Sequence, residues 1–250
     1  NTLLARVALL QEGLRQVSDN IAHDLKTPLT RLRNRAEAAL SADVDAAGTR
    51  TVLEGMISEA DQMIRTFDAL LMISRVEAGS HPVIKTRVDV AGIVADVCEL
   101  YEPLAEEAGA TLVFAPSPPV QASVSRELIA QALSNLIDNA LKYGVADGGG
   151  ARIAVRLELT DGVCRLSVSD DGPGVPADQR ERVLERFYRL DQSRSLPGSG
   201  LGLSLVQAIA RVHGGRLALE DAAPGLRVVL EFPQDGKTVA DGETGHGARA

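Results

Sequence analysis

The stretch SDNIAHDLKTPLTRLR, residues 18–33, sets His23, Asp24 and Thr27 just ahead of Pro28. Apolar residues on either side recur at helical spacing. With Ile21 at zero on a wheel of about 100° per residue, Leu25 falls at roughly 40° and His23 at roughly 200°. The imidazole therefore points away from the apolar seam, where packing gives it no reason to be. Asp24 can accept a hydrogen bond from one ring nitrogen and leave the other as a nucleophile. Pro28 within the helix costs about 3 kcal/mol and frees the carbonyl of Asp24, bending the helix beside the reactive group. Thr27 lies one turn along the same face, where its hydroxyl can position water. Alternatively, His23 is structural and Thr27 belongs to the polar shoulder before the proline.

Three further clusters carry chemistry. In QALSNLIDNALKYG (131–144), Asn135 and Asn139 stand one turn apart on one helix face, with Lys142 one turn further. Asparagine is unfavourable inside helices. Its amide oxygen suits Mg²⁺, which binds together with substrate phosphates that Lys142 could meet. A solvated polar face is the plainer alternative. VSDDGPGVP (168–176) ends a strand on Asp170 and turns through Gly172 and Gly174. That carboxylate could accept a hydrogen bond from an exocyclic amine such as adenine's, with the glycines letting backbone pass close to the base; an ordinary turn is the alternative. PGSGLGLSLVQAIARVHGG (197–215) sets Gly198, Gly200, Leu201 and Gly202 at the start of an apolar-periodic helix. Backbone N–H groups there form a phosphate site, although neither a dinucleotide fingerprint nor a P-loop is present. The charged loop between these clusters, with Arg186, Phe187 and Arg189, could close over a nucleotide as a lid.

The elements that must position these residues fall into two patterns. Leu3, Val7, Leu10, Leu14, Val17 and Ile21 form a coiled-coil seam that continues to Ala39 with a break in heptad phase around His23. Leu53, Ile57, Ala60, Ile64, Phe67, Leu71 and Ser74 form a second stripe, after a loop at SADVDAAGT, residues 41–49. One hairpin cannot cover both stripes, which predicts a homodimer through a four-helix bundle. After a Gly/Ser/Pro linker the spacing predicts strands at 87–90, 110–114, 120–123, 151–160, 163–170, 216–220 and 226–232. Helices are predicted at 91–108, 125–142, 177–184 and 201–213. The fold class is α+β: a helical hairpin, then an α/β sandwich with helices on one face of a mixed sheet.

The 250 residues are 45% hydrophobic but only 3% aromatic, so the core is aliphatic. A net charge of −8 argues against a nucleic-acid binder, which normally carries a basic face, so any site for a polyanion must be local. Cys98 and Cys164 form no CxxC pair and read as buried free thiols, which fits a reducing compartment. No run of about 18 apolar residues exists to span a membrane. The chain opens at Asn1 without a methionine, which predicts a piece of something longer.

Taken in order, these segments resemble the sensor histidine kinases of bacterial two-component systems. HDLKTPL resembles their H box, NLIDNALKY the N box, DDGPG the G1 box, ERFYR the F box and GSGLGL the G2 box. The resemblance covers about 15–232, and 1–14 is similar to the end of a signal-transmitting HAMP helix. It implies a dimerisation and histidine-phosphotransfer hairpin over 15–77, a linker over 78–86, an ATP-binding catalytic domain over 87–233 and a disordered tail over 234–250. It further implies ATP and Mg²⁺ as cofactors, His23 as the phosphorylated residue and an aspartate on a response regulator receiver domain as the acceptor. Asp24 would activate His23, and Thr27 would serve dephosphorylation of the regulator. Asn135 and Asn139 would hold the metal, Lys142 and Arg189 would touch phosphates, and Tyr143 would line the nucleotide site. Asp170 would read adenine, and the glycines from Gly198 to Gly202 would cradle phosphates. Many relatives carry Asn where this chain has Asp171, a departure expected to be tolerated because the adenine contact falls to Asp170. Membrane contact would come only through segments missing from this chain, making it the cytoplasmic portion of an inner-membrane protein. The alternatives are an ATP-hydrolysing relative on the same nucleotide fold or a non-catalytic dimeric scaffold. The first normally carries a Glu where this chain has Asn135, which cannot serve as a base near neutral pH. The second would have lost a motif, and none is missing.

Overall fold

The computed structural model describes residues 30, 33–34, 36–37, 46–77, 83–115, 117–145, 150–190 and 200–235. The chain divides into two compact units, Asn1–Arg75 and Val76–Ala250. His23, Asp24, Thr27, Pro28, Gly198 and the tail from 236 lie outside the described residues, as does most of the first coiled-coil seam.

In the first unit the principal element is α1, Ala46–Glu77. It begins inside the stretch expected to be a loop, because Ala46 and Ala47 favour helix strongly enough to carry Gly48. Ala69 and Ile73 are buried, whereas Leu53, Ile57, Ile64 and Phe67 are 53%, 61%, 58% and 42% exposed in the single chain. Those four are members of the stripe that the sequence marks for a partner.

The second unit opens with a two-stranded ribbon, β1 (Thr86–Asp89) against β3 (Gln121–Val124), antiparallel. A five-stranded sheet follows, in the order β2-β4-β5-β7-β6. Its strands are β2 (Ala110–Phe114), β4 (Ala151–Thr160), β5 (Val163–Ser169), β6 (Arg216–Asp221) and β7 (Leu226–Pro233). β2 runs parallel to β4, and all other pairs are antiparallel. Alternation is strict on β5, where Cys164, Leu166 and Val168 are buried and Arg165 faces out. On the outward face Glu231, only 4% exposed, is held by Arg216 and by Arg165 at 3.4 Å.

Three helices bring the apolar layer: α2 (Val90–Glu107), α3 (Arg126–Tyr143) and α4 (Gly202–Val212). Ile93, Ile129, Leu133, Leu136, Ile137 and Ile209 are fully buried, as are Ile153, Leu166, Leu230 and Phe232 of the sheet. Each such side chain contributes about 1.5–3 kcal/mol of burial. The N-caps are legible locally. Asp89 accepts from Ala91 N at 3.1 Å and from Val120 N at 2.9 Å, and Ser125 Oγ accepts from Leu128 N. Burial pushes the thiols of Cys98 and Cys164 up to about 11, so both are inert.

The helix expected at 177–184 is instead two 3₁₀ turns, Ala177–Gln179 and Arg182–Leu184. Only Val183 in this span is buried, so no apolar stripe stabilises a continuous helix. Among the described residues no helix is long and apolar enough to cross a membrane.

Candidate functional site

α3 buries Ala132, Leu133, Leu136, Ile137 and Ala140, which leaves Asn135 and Asn139 on its flank, each half-buried. Asn135 donates from Nδ2 to the Gln131 carbonyl at 2.9 Å, which turns its Oδ1 outward. The first residue of α4 meets this flank. A methyl group on Gly202 would lie 3.5 Å from Asn135 Oδ1 and 3.4 and 3.5 Å from the Asn139 amide atoms. The N-terminus of α4 carries no side-chain cap, because buried Leu201 occupies the cap position. Among the described residues no side chain caps its first-turn N–H groups, which suits an anion. Two hard amide oxygens face a helix N-terminus here, and this donor set fits a hydrated Mg²⁺ shared with phosphate oxygens.

The second half of the site forms where α3 ends. Side chains are excluded between Gly144 and the turn after β5. A methyl on Gly172 would lie 2.6 Å from Gly144 Cα, and one on Gly144 would lie 2.5 Å from Asp170 Cβ. Asp170 sits in this backbone-lined crevice, half-buried, with Oδ1 accepting from Gly172 N at 2.9 Å and Leu226 N at 3.3 Å. Burial raises its pKa, the two backbone N–H bonds pull it down, and neighbouring Asp171 pushes it up further. Oδ2 receives no donor among the described residues, so it remains available to an amine. Asp171 is exposed and accepts from Arg152 N at 3.0 Å, a bond that an Asn oxygen makes equally well. The Asn-to-Asp departure is thus directed away from the crevice.

Lys142 and Tyr143 occupy the last turn of α3, with Lys142 Nζ 5.0 Å from the Tyr143 ring centroid. Gly200 closes on the F-box segment: Phe187 N donates to Gly200 O at 3.0 Å, and both residues have positive φ, +62° and +70°. Arg189 is half-buried in the same segment.

Residues 124–236 match the family described as histidine kinase-, DNA gyrase B- and HSP90-like ATPase. Residues 14–79 match the His Kinase A (phospho-acceptor) domain. The chain is 38% identical over 238 residues to the sensor protein IrlS of Burkholderia pseudomallei, covering 93% of this chain and 50% of IrlS. It is 33% identical over 235 residues to the signal transduction histidine-protein kinase/phosphatase MprB of a Mycobacterium species, covering 90% of this chain and 44% of MprB. The chain belongs to the sensor histidine kinases. Among solved structures, full-length ShkA in complex with AMPPNP superposes on the kinase chain with a TM-score of 0.64 at 26% identity. That match covers 91% of this chain and 47% of ShkA. The kinase chain spans about half the length of the curated relatives it matches.

The structure brings Asn135, Asn139 and Gly202 together, and Asp170 together with Gly172 and the Tyr143–Gly144 backbone. Gly174 joins them through Gly225, whose carbonyl oxygen would be 2.8 Å from a methyl on Gly174. Sequence reading missed Gly144, Gly225 and Leu226. The Pro-Gly pair at 224–225 signals a turn, but nothing local connects that turn to Asp170.

Proposed function

We propose that this chain is the catalytic core of a protein-histidine kinase. ATP binds with its base against Asp170 and its phosphates at the N-terminus of α4. The γ-phosphoryl group passes to His23 and then to an aspartate on a response regulator receiver domain. The observation that carries this reading is the convergence of the Asn135 and Asn139 amides of α3 on the glycine start of α4, with the last turn of the same α3 packed against Asp170, a carboxylate with one oxygen unfilled among the described residues. Asn135 and Asn139, the latter most directly, hold Mg²⁺, which supplies charge neutralisation on the phosphates. Lys142 and Arg189 add cationic contacts, Gly198 and Gly200 border the phosphates, and Tyr143 lines the base pocket. In the transfer a ring nitrogen of His23 forms the P–N bond while the bond to the ADP oxygen breaks, with Asp24 holding the other ring nitrogen. The linker over 78–86 lets the 87–233 domain approach His23 and withdraw. The hairpin over 15–77 pairs with a second copy, and membrane anchoring belongs to segments outside this chain.

The test is incubation with γ-labelled ATP and Mg²⁺, followed by acid and base treatment. A label stable in base and lost in acid is expected, and His23→Gln should abolish it while nucleotide binding persists. Full labelling of that variant at another residue overturns the assignment. Thr27 belongs to the reverse reaction, positioning water against a phosphorylated regulator. Thr27→Ala should keep autophosphorylation and forward transfer but lose the acceleration of regulator dephosphorylation measured with ADP present. Equal acceleration by both proteins removes Thr27 from the mechanism.

A further inference from the structure

Asp170 lies between two loops that converge on one of its oxygens. The 170–176 turn supplies Gly172 N–H, and the β6–β7 turn supplies Leu226 N–H, both to Oδ1. Asp170 N donates in return to Leu226 O at 3.0 Å. The loops are in backbone contact, because a methyl on Gly225, at φ +98°, would come 1.7 Å from Asp170 O. The β6–β7 turn is not relaxed by itself, since Ala223 holds φ at +48°, a region that disfavours a non-glycine residue. Asp221 Oδ1 accepts from Ala223 N at 3.0 Å and secures that conformation.

Arg180 spans both loops from outside. Its Nε donates to Val175 O at 3.1 Å, in the first loop, and its terminal nitrogen reaches Asp221 Oδ2 at 3.4 Å, at the head of the second. The Arg180 side chain is 25% exposed and Asp221 68%, so the pair adds little to global stability. Its leverage is local: it closes the two loops whose closure fills Oδ1 and leaves Oδ2 as the acceptor directed to a ligand.

We propose that Arg180 and Asp221 form a clasp that sets the nucleobase preference of the kinase through Asp170. This rests on the reading of Asp170 as the base-recognition carboxylate. Both are positioning residues that touch no substrate. With the clasp open, Leu226 N–H withdraws and the Asp170 carboxylate rotates. It then no longer discriminates the exocyclic amine of adenine from the oxo group of guanine at the same position.

The test measures ATP and GTP affinities, with Mg²⁺, by competition against a fluorescent nucleotide. Wild type, Arg180→Ala, Asp221→Ala, Asp221→Asn, the Arg180→Ala/Asp221→Ala pair and Asp170→Ala are compared. Each clasp variant should weaken ATP by about twofold to fivefold and leave GTP unchanged, the size of one exposed ion pair acting on one contact. The double variant should lose no more than the larger single, because both residues act through one element. Asp221→Asn, which keeps the acceptor for Ala223 N–H, should show the smaller effect and remain folded. Equal losses for ATP and GTP, or no loss for either, overturn the clasp if Asp170→Ala has itself lost discrimination. If Asp170→Ala keeps full ATP/GTP discrimination, the adenine role of Asp170 fails, and the clasp fails with it.

Discussion

A carboxylate held in a backbone-lined crevice is costly to ionise, and Asp170 shows how the site compensates. Two N–H donors on Oδ1 oppose the burial, yet burial prevails and the pKa stays above that of an ordinary aspartate. The folded state therefore binds this proton more tightly than the unfolded chain. The associated stability is fully present below 3.8 and is lost as pH rises through the folded pKa, so at neutral pH the ionised group strains the fold. Asp170→Asn keeps an oxygen for Gly172 and Leu226 and removes the charge. It should raise Tm at pH 7.5, while weakening ATP binding. The gain should shrink in melts towards pH 4, and a gain independent of pH would contradict the burial argument.

At the scale of elements, His213 joins the two helices that carry the site. It is 2% exposed, with Nδ1 at 2.8 Å from Ile209 O in α4 and Nε2 accepting from N–H of Ser125, the cap of α3, at 3.0 Å. Its ring also lies against Phe232, with centroids 6.3 Å apart. These bonds require the neutral ring. Burial lowers its pKa from 6.5, the Ile209 carbonyl opposes this, and Lys85 adds to the lowering. A depressed folded pKa means that the unfolded chain binds the proton first. The stability from His213 is thus present above 6.5 and lost as pH falls from there towards the lowered value. Thermal melts between pH 8 and 5 should show this slope, and His213→Phe should remove it. That variant should also cost about 1–3 kcal/mol at pH 8, because the buried Ser125 N–H loses its acceptor. An unchanged slope in the variant would assign the acid sensitivity to other groups.

For the whole molecule the telling feature is the apolar stripe on α1. Leu53, Ile57, Ile64 and Phe67 lie exposed along one helix of the first unit, a row more extended than the isolated leucines common on protein surfaces. Pairing of hairpins from two copies would cover such a stripe. Light scattering at tens of micromolar should give a dimer, and Ile64→Asp with Phe67→Asp should give a folded monomer. A monomeric wild-type chain would remove the bundle from the account.

The element order was legible in the sequence because local patterns decide it. The strands on either side of the Asp161-Gly162 turn, the helix from 125 and the strands β2, β4 and the start of β6 fell where the spacing put them. The chemistry of Asn135, Asn139 and Asp170 was legible too, since amides on a helix face and an acid before glycines are local signals. Other features depended on tertiary contact. The 177–184 segment carries helix-forming residues, yet it forms 3₁₀ turns because only Val183 finds a core to enter. The need for glycine at 225 arises 55 residues away, from the carbonyl of Asp170. Which oxygen of Asp170 is free, and which residues hold it, follows from two loops meeting in space. Periodicity along a chain records which face is buried, but hydrogen bonds between distant loops leave no period, so only the folded structure decides them.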